Sequence, residues 1–329
     1  MSGDILTDAD YMRRAIDAAQ SVRAHTTPNP WVGCVLVCAD GTVVTGATRP
    51  PGGPHAEAVA LAEAGPRAGG ATVFTTLEPC SHHGRTPPCV DALIAAGVKR
   101  VVVSVADPDA NVSGRGIEGL RAAGITVDTG CESAAVREQL APYLHHRLTG
   151  RPWVVLKLAS TLDGRTAAAD GTSQWITGPE ARADAHRLRA ESDAILVGAG
   201  TVRADDPALT VRLAGEWRQP RRVVLGQAPA DAKIQPCLEW AGSVPDLLDR
   251  LGGEGVVQLM VEGGARVARS FHDGGWINRY VLYIAPAFLG EHGRPLLAGG
   301  PTSMVGIWRG DIVDTRLVGS DLRIEVASR

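Results

Sequence analysis

The chain is poor in lysine. It has three, Lys99, Lys157 and Lys233, among 33 Lys plus Arg, and its formal net charge is −3 with a pI near 6.3. It lacks the basic face that a protein dedicated to coating nucleic acid carries, so nucleic acid is not an expected partner. No apolar run approaches the ~18 residues that a membrane span needs, and no basic-then-apolar segment marks an export signal. A soluble, cytoplasmic protein with no membrane partner is expected. Six cysteines without a regular framework point to thiols in a reducing compartment rather than to disulfides. There are no internal repeats and no low-complexity segments, which excludes a repeat architecture. What is present is length and apolar content. At 329 residues and 44% hydrophobic, the chain can bury two cores.

The first half alternates helix and strand. Thr7 and Asp10 form a capping-box start for a helix running to about Ala24, with Met12, Ala15, Ile16 and Ala19 on one face. Residues 32–39 and 42–45 read as a hairpin around Asp40-Gly41. A helix over 55–64, a strand over 71–77, a helix from Pro87 to Ala96 and a buried strand over 98–105 follow. A helix over 116–123, a strand near 125–128 and one last helix to about His146 complete a three-layer α/β pattern. It places the candidate ligands described next at helix starts, where backbone N–H groups favour thiolates. The segment Thr149-Gly150-Arg151-Pro152 reads as a linker. Beyond it, strands are predicted at 153–161, 193–198, 221–225, 256–261 and 278–286, and helices near 179–191, 244–251 and 265–273. The tail from Asp311 to Val326 alternates like two antiparallel strands around Gly319-Ser320.

The densest chemistry lies between His55 and Cys89. The chain reads His55-Ala-Glu57, then Glu78-Pro-Cys80-Ser-His-His-Gly-Arg-Thr-Pro-Pro-Cys89. One histidine and two cysteines are the ligand set of hydrolytic zinc deaminases, whose open fourth position holds a water made nucleophilic by the metal. On this reading His55, Cys80 and Cys89 hold one zinc per chain, and Glu57, not a ligand, moves the protons. Such motifs usually have two residues between the cysteines. Here there are eight, 81–88. A purely structural zinc site competes with this reading. It needs a fourth protein ligand, which His82 or His83 could supply. Cys34, Cys38, Cys131 and Cys237 show no paired metal spacing.

In the second half, Val261-Glu262-Gly263-Gly264 follows an apolar strand and opens a helix, and Gly198-Ala-Gly200-Thr201 repeats the arrangement. Glycines there let backbone N–H groups approach a phosphate, or simply make a tight turn. Neither is the full dinucleotide fingerprint. Arg189 and Arg212 carry forked donors that match phosphate oxygens, and solvated surface charge is the alternative for each. Asp205-Asp206-Pro207 is either a helix-end turn or a placed carboxylate. Lys157 stands out inside an apolar strand.

Together these residues resemble the bifunctional deaminase/reductase family of riboflavin biosynthesis, over nearly the whole chain. The resemblance rests on the eight-residue insert between Cys80 and Cys89 and on Thr27-Pro28-Asn29-Pro30 before Val32-Gly33. It rests also on Lys157-Leu-Ala-Ser-Thr-Leu-Asp-Gly-Arg165, Ser173-Gln-Trp-Ile-Thr177, the run from Gly200 to Arg212, Val261-Glu-Gly-Gly264 and Tyr283-Ile-Ala-Pro286. It implies a cytidine-deaminase-like three-layer α/β domain over 1–148 and a dihydrofolate-reductase-like α/β domain over 149–329, with Zn2+ and NADPH as cofactors. The substrate implied is a phosphoribosylated pyrimidine, deaminated and then reduced from ribosyl to ribityl. Asn29, His82 and Arg85 would contact the deaminase substrate. Lys157, Ser173, Arg189, Asp205, Leu209, Arg212 and Glu262 would line the reductase substrate site. Ala159, Trp175, Thr201, Gly263 and Gly264 would hold the cofactor. Asp205, Glu262 and Lys157 are the candidates for assisting ring opening. Relatives often have histidine where this chain has Thr48, and the 213–260 stretch looks shorter than in many of them. A homo-oligomer is expected. The rival readings are a nucleoside, nucleotide or RNA-base deaminase with an unrelated second domain, and a non-enzymatic zinc scaffold.

Overall fold

The structure is a computed structural model and describes residues 6–82, 87–109 and 112–328. The chain divides into two compact units, Met1–Gly150 and Arg151–Arg329.

The first unit opens with α1 (Asp8–Val22). Its Thr7 hydroxyl accepts from the Asp10 N–H while the Asp10 carboxylate accepts from the Thr7 N–H, the reciprocal cap expected from the sequence. Met12, Ala15 and Ala19 are buried on its inner face. Then come β1 (Gly33–Val37), β2 (Val43–Ala47), α2 (Ala56–Ala64), β3 (Thr72–Leu77), α3 (Cys89–Ala95), β4 (Arg100–Val105), α4 (Arg115–Ala122) and β5 (Thr126–Thr129). The sheet order is β2-β1-β3-β4-β5, with β1 antiparallel to both neighbours and β3, β4 and β5 parallel. Almost every residue of β3 and β4 is buried, so both faces of the sheet are covered. The single last helix expected from periodicity is two, α5 (Ser133–Gln139) and α6 (Ala141–Thr149), broken at Leu140. Pro142 has no N–H to continue the first helix and is suited to the first turn of the next.

The second unit contains β6 (Trp153–Thr161), β7 (Arg165–Ala167), α7 (Pro179–Ala190), β8 (Ala194–Gly198), α8 (Ala199–Asp205), β9 (Arg221–Leu225) and β10 (Leu238–Trp240). It continues through α9 (Val244–Gly253), β11 (Gln258–Val261), α10 (Ala265–Asp273), β12 (Arg279–Ala285), β13 (Arg294–Pro295), β14 (Gly310–Val318) and β15 (Asp321–Ser328). Its main sheet runs β10-β9-β8-β11-β6-β12-β15-β14. The six strands from β10 to β12 are parallel, and the tail adds β15 and β14 antiparallel. Successive residues of one strand serve opposite cores. Leu196 and Leu259 pack with Phe271 and Leu247, while Ile195 and Met260 pack with Val202 and Ile234. The short strands β7, β10 and β13 were not expected, because two or three residues show no period. Among the described residues no helix is long and apolar enough to cross a membrane.

Two glycines set how closely helices approach the first sheet. A Cβ on Gly33 would lie 1.8 Å from the Ala15 carbonyl oxygen, and one on Gly46 would lie 2.2 Å from that of Ala56. Both obstacles are helix backbone, which cannot rotate away. Gly33→Ala should therefore destabilise the first unit by about 1–3 kcal/mol, the usual cost of overpacking. Urea unfolding followed by circular dichroism would show it. An unchanged midpoint would mean that α1 slides off β1 at no cost.

Candidate active sites

In the first unit, three elements converge on one set of donors. His55 is the N-cap of α2, Cys80 lies in the loop after β3, and Cys89 is the first residue of α3. Two of the three ligands are thus at helix starts. The third instead receives the Cys89 N–H at 3.3 Å on its sulfur. His55 Nδ1 lies 3.5 Å from Cys80 Sγ and 3.4 Å from Cys89 Sγ, and all three donor atoms lie within 4.8 Å of one another. A tetrahedral zinc, with bonds of about 2.3 Å to sulfur and about 2.0–2.1 Å to nitrogen, separates such donors by about 3.5–3.8 Å. The donor set fits zinc. The Cys80 thiol is pulled down, first by the hydrogen bond with Cys89 and then, against burial, by His55. Cys89 moves up through the same shared proton and through burial. The cluster among the described residues has three members. His82 is exposed and outside it, and His83 lies outside the described residues.

Glu57 is 3% exposed, and burial pushes its carboxyl up. It lines a cavity of about 360 Å³ together with His55, Cys80, Asn29, His82, Thr48, Asp107, Asp109, Tyr143 and Arg147. The expected contacts Asn29 and His82 therefore share one cavity with His55 and Cys80 of the candidate zinc site, while Arg85 lies outside the described residues. Thr48 is buried, and its hydroxyl exchanges hydrogen bonds with the Val32 backbone.

Sequence reasoning missed three supporting residues. Glu78, buried beside Cys80, accepts the N–H groups of Asp107, Gly114, Gly116 and Ile117 at 2.9–3.3 Å. It ties the loop after β4 to the loop that carries Cys80. Asp107 accepts the Tyr143 hydroxyl at 3.0 Å and the Asp109 N–H at 2.9 Å. A polar residue directly beyond a buried parallel strand was the available signal for Asp107. Nothing local marks which way Glu78 faces.

In the second unit, β6 and β11 are parallel neighbours, with Val261 opposite Leu156. Glu262 follows the end of β11. Arg189, from α7, donates to both its carboxylate oxygens at 2.6 and 2.9 Å, and Lys157 Nζ stands 3.8 Å away. Burial works to raise the Glu262 carboxyl, but Arg189 and Lys157 outweigh it and hold it at about 2. Burial lowers Lys157. A third Arg189 donor reaches the Thr210 carbonyl at 3.3 Å. Much of the guanidinium expected to meet phosphate is thus engaged within the protein. The Arg212 N–H donates to His186 Nδ1 at 3.3 Å, and the exposed Arg212 guanidinium contacts only Thr210 Oγ1 among the bonds resolved, at 3.4 Å. His186, absent from the sequence expectations, is held down at about 4 by burial and then by Arg189 and Arg212. Leu209 is buried with φ of 50°, in the left-handed region that costs a non-glycine residue about 1–3 kcal/mol. Asp205 ends α8 and is exposed, with Asp206 as a left-handed C-cap paired to Lys233.

The ends of the adjacent strands β8 and β11 lead into α8 and α10. Gly264 is the N-cap of α10 and has no side-chain cap. A Cβ on Gly264 would lie 3.7 Å from Thr201 Oγ1, while one on Gly263 would lie 2.5 Å from Val267 Cβ. Two uncapped helix starts side by side suit a pyrophosphate. Ala159 lies two residues on from Lys157, on the same face of β6. Ser173 and Trp175 belong to the loop before α7, where the Arg182 guanidinium lies 4.6 Å from the Trp175 ring. No resolved contact ties Ser173, Trp175 or Asp205 to the Glu262 cluster.

The first unit carries the donor set of a zinc deaminase, and the second sets two glycine turns at uncapped helix starts. The cytidine and deoxycytidylate deaminase zinc-binding region matches residues 6–105, and the RibD C-terminal domain matches residues 152–322. The riboflavin biosynthesis protein RibD of Mycobacterium tuberculosis is 42% identical over 332 residues, covering 97% of each chain, and that of Escherichia coli is 43% identical, covering 88% of this chain and 91% of the relative. The structure of Acinetobacter baumannii RibD superposes with a TM-score of 0.93 at 37% identity, covering 98% of this chain and 99% of the other. The chain belongs to the RibD family, bifunctional enzymes of riboflavin biosynthesis with a deaminase domain and a reductase domain. Its folds are cytidine-deaminase-like and dihydrofolate-reductase-like. An unrelated second domain is thereby set aside.

The Glu262 cluster makes acid stability testable. A carboxyl held at about 2 against an ordinary 4.5 contributes stability above pH 4.5 that is lost as pH falls towards 2. The wild type should exceed Glu262→Gln in stability at pH 7, and the gap should close between about pH 4.5 and pH 2. Urea midpoints of the two proteins across that range measure it, and a pH-independent gap would refute the charged pairing.

Proposed function

We propose that residues 1–148 deaminate a phosphoribosylated diaminopyrimidine and that residues 149–329 then reduce its ribosyl group to a ribityl chain with NADPH. The observation that carries this reading is the His55–Cys80–Cys89 donor set opening, beside buried Glu57, into one cavity. A Thermotoga maritima relative, 33% identical with a TM-score of 0.89, is named diaminohydroxyphosphoribosylaminopyrimidine deaminase/5-amino-6-(5-phosphoribosylamino)uracil reductase, which supports this substrate.

His55, Cys80 and Cys89 would hold the zinc, which would supply a Lewis acid able to make water nucleophilic near neutral pH. Glu57 takes a proton from the attacking water and gives one to the departing exocyclic nitrogen. Burial raises its carboxyl, which favours its taking up the proton. Asn29, His82 and Arg85 orient the pyrimidine and its sugar.

In the reductase, the Gly263-Gly264 turn, Ala159, Trp175 and Thr201 would hold NADPH, which would supply the hydride. Glu262 stays ionised and anchors Arg189 and Lys157. Lys157, whose ammonium burial weakens, is the group suited to give the ribose ring oxygen a proton as the ring opens. Ser173, Leu209 and Asp205 shape the substrate cleft, and Arg212 carries the phosphate contact. The protein works in the cytoplasm as a homo-oligomer.

Incubation of the purified protein with the diaminopyrimidine ribotide, with and without NADPH, tests the reading by product mass. Loss of the amine should need no NADPH, and the ribityl product should need it. Glu57→Gln should keep about one zinc per chain yet lose deamination by at least about 10²–10⁴-fold, with reduction of the deaminated ribotide intact. Near-normal deamination would place the proton shuttle elsewhere. Arg212→Ala should raise the KM for reduction about 10–100-fold, the worth of a hydrogen bond to a charged group, with deamination unchanged. A wild-type KM would remove Arg212 from the phosphate contact.

A further inference from the structure

The walls of the deaminase cavity carry a charge that works against a phosphorylated substrate. Four carboxylates line it, Glu57, Glu78, Asp107 and Asp109, and the substrate brings a phosphate dianion. Two of them are answered inside the protein, Glu78 by four backbone N–H groups and Asp107 by Tyr143 and the Asp109 N–H. Thr48, which also lines the cavity, spends its hydroxyl on the Val32 backbone. Beyond His55 and His82, Arg147 is the one cationic side chain among the described lining residues. It comes from the last turn of α6. Its Nε stands 3.5 Å from Asp109 Oδ2, and its guanidinium carbon lies 5.1 Å from the centre of the Tyr143 ring.

We propose that Arg147 binds the substrate's phosphate in the deaminase cavity, with Asp109 and Tyr143 holding the guanidinium ready. The proposal rests on the reading that the deaminase substrate is a phosphoribosylated pyrimidine. A guanidinium resting on an aromatic ring keeps its donors in its own plane, where they match two oxygens of a phosphate. Asp109 supplies the counter-charge before substrate arrives. When the dianion enters, Arg147 neutralises part of its charge, and the repulsion from Asp109 falls on the arginine's far side. Tyr143 links the two halves of the device, because its hydroxyl fixes Asp107 while its ring carries Arg147. Arg147 thus selects the phosphorylated substrate, while His55, Cys80, Cys89 and Glu57 act on the ring.

The test compares deamination of the diaminopyrimidine ribotide with that of its dephosphorylated riboside, using the full-length zinc-loaded protein. The wild type should prefer the ribotide in kcat/KM. Arg147→Met, which keeps much of the stem and removes the guanidinium, should reduce that preference by about 10–100-fold, and Arg147→Lys should keep part of it. Ribose 5-phosphate, used as a competitor, should weaken by the same factor in Arg147→Met. Zinc content and NADPH-dependent reduction of the deaminated ribotide should match the parent, which shows that the variant is folded. An equal loss on both substrates would make Arg147 structural and overturn the proposal, as would an unchanged preference. A wild type that deaminates both substrates equally would overturn it too while leaving ring deamination standing. A wild type that deaminates neither would defeat the functional reading itself.

Discussion

A parallel strand that ends in a helix leaves backbone N–H groups without partners, and both units build their chemistry on that constraint. In the first unit the groups beyond β4 are collected by one buried carboxylate, Glu78, which accepts four of them. The Cys89 N–H at the start of α3 goes to the Cys80 sulfur. In the second unit the starts of α8 and α10 lie side by side without side-chain caps. Orphan donors are costly when buried and useful when a ligand or a carboxylate can meet them. The positions of Cys80, Cys89, Asp107, Thr201 and Glu262 just beyond strands or at helix starts follow from this.

The second constraint is that buried charge must be answered. Glu262 is matched by a forked arginine and a lysine, and the match is close enough to keep it ionised against burial. A similar network secures the antiparallel tail. Arg323 reaches Asp184, Asp314 and Glu325, while the Tyr283 hydroxyl donates to Asp184 at 2.7 Å. Lys157 Nζ lies 5.9 Å from the centre of the Tyr283 ring, so the tail network and the Glu262 cluster meet at one aromatic side chain. Removing one member of such a set leaves its partner charged and buried, which costs more than the pair contributes. These residues therefore fix geometry more than they add stability.

Much of this was legible in the sequence, for local reasons. The Thr7–Asp10 cap, the hairpin around Gly41 and the α10 start all depend on residues within a few positions of one another. The long strands β6, β8, β9, β11 and β12 were legible because buried parallel strands are nearly continuous apolar runs. The break at Leu140 was missed because the apolar face of the pattern continues across it, and only Pro142 records the interruption. The donors His55, Cys80 and Cys89 were legible as types and spacing. Their approach to within 4.8 Å is a property of how α2 and α3 pack against each other beside the loop after β3.

The sequence by itself determined the longer elements, the order of the two units and the donor types of the candidate metal site, since each is written in neighbouring residues or a repeated period. Only the tertiary structure decided which charges answer one another. Arg189 and Glu262 are 73 residues apart, and Glu78 meets N–H groups 29 to 39 residues away. Nothing in the spacing shows that Arg189 is committed to Glu262 while Arg212 is left exposed, or that Arg147 faces the same cavity as His55. A side chain's partner is chosen by the packing of whole elements, and a one-dimensional pattern does not record that choice.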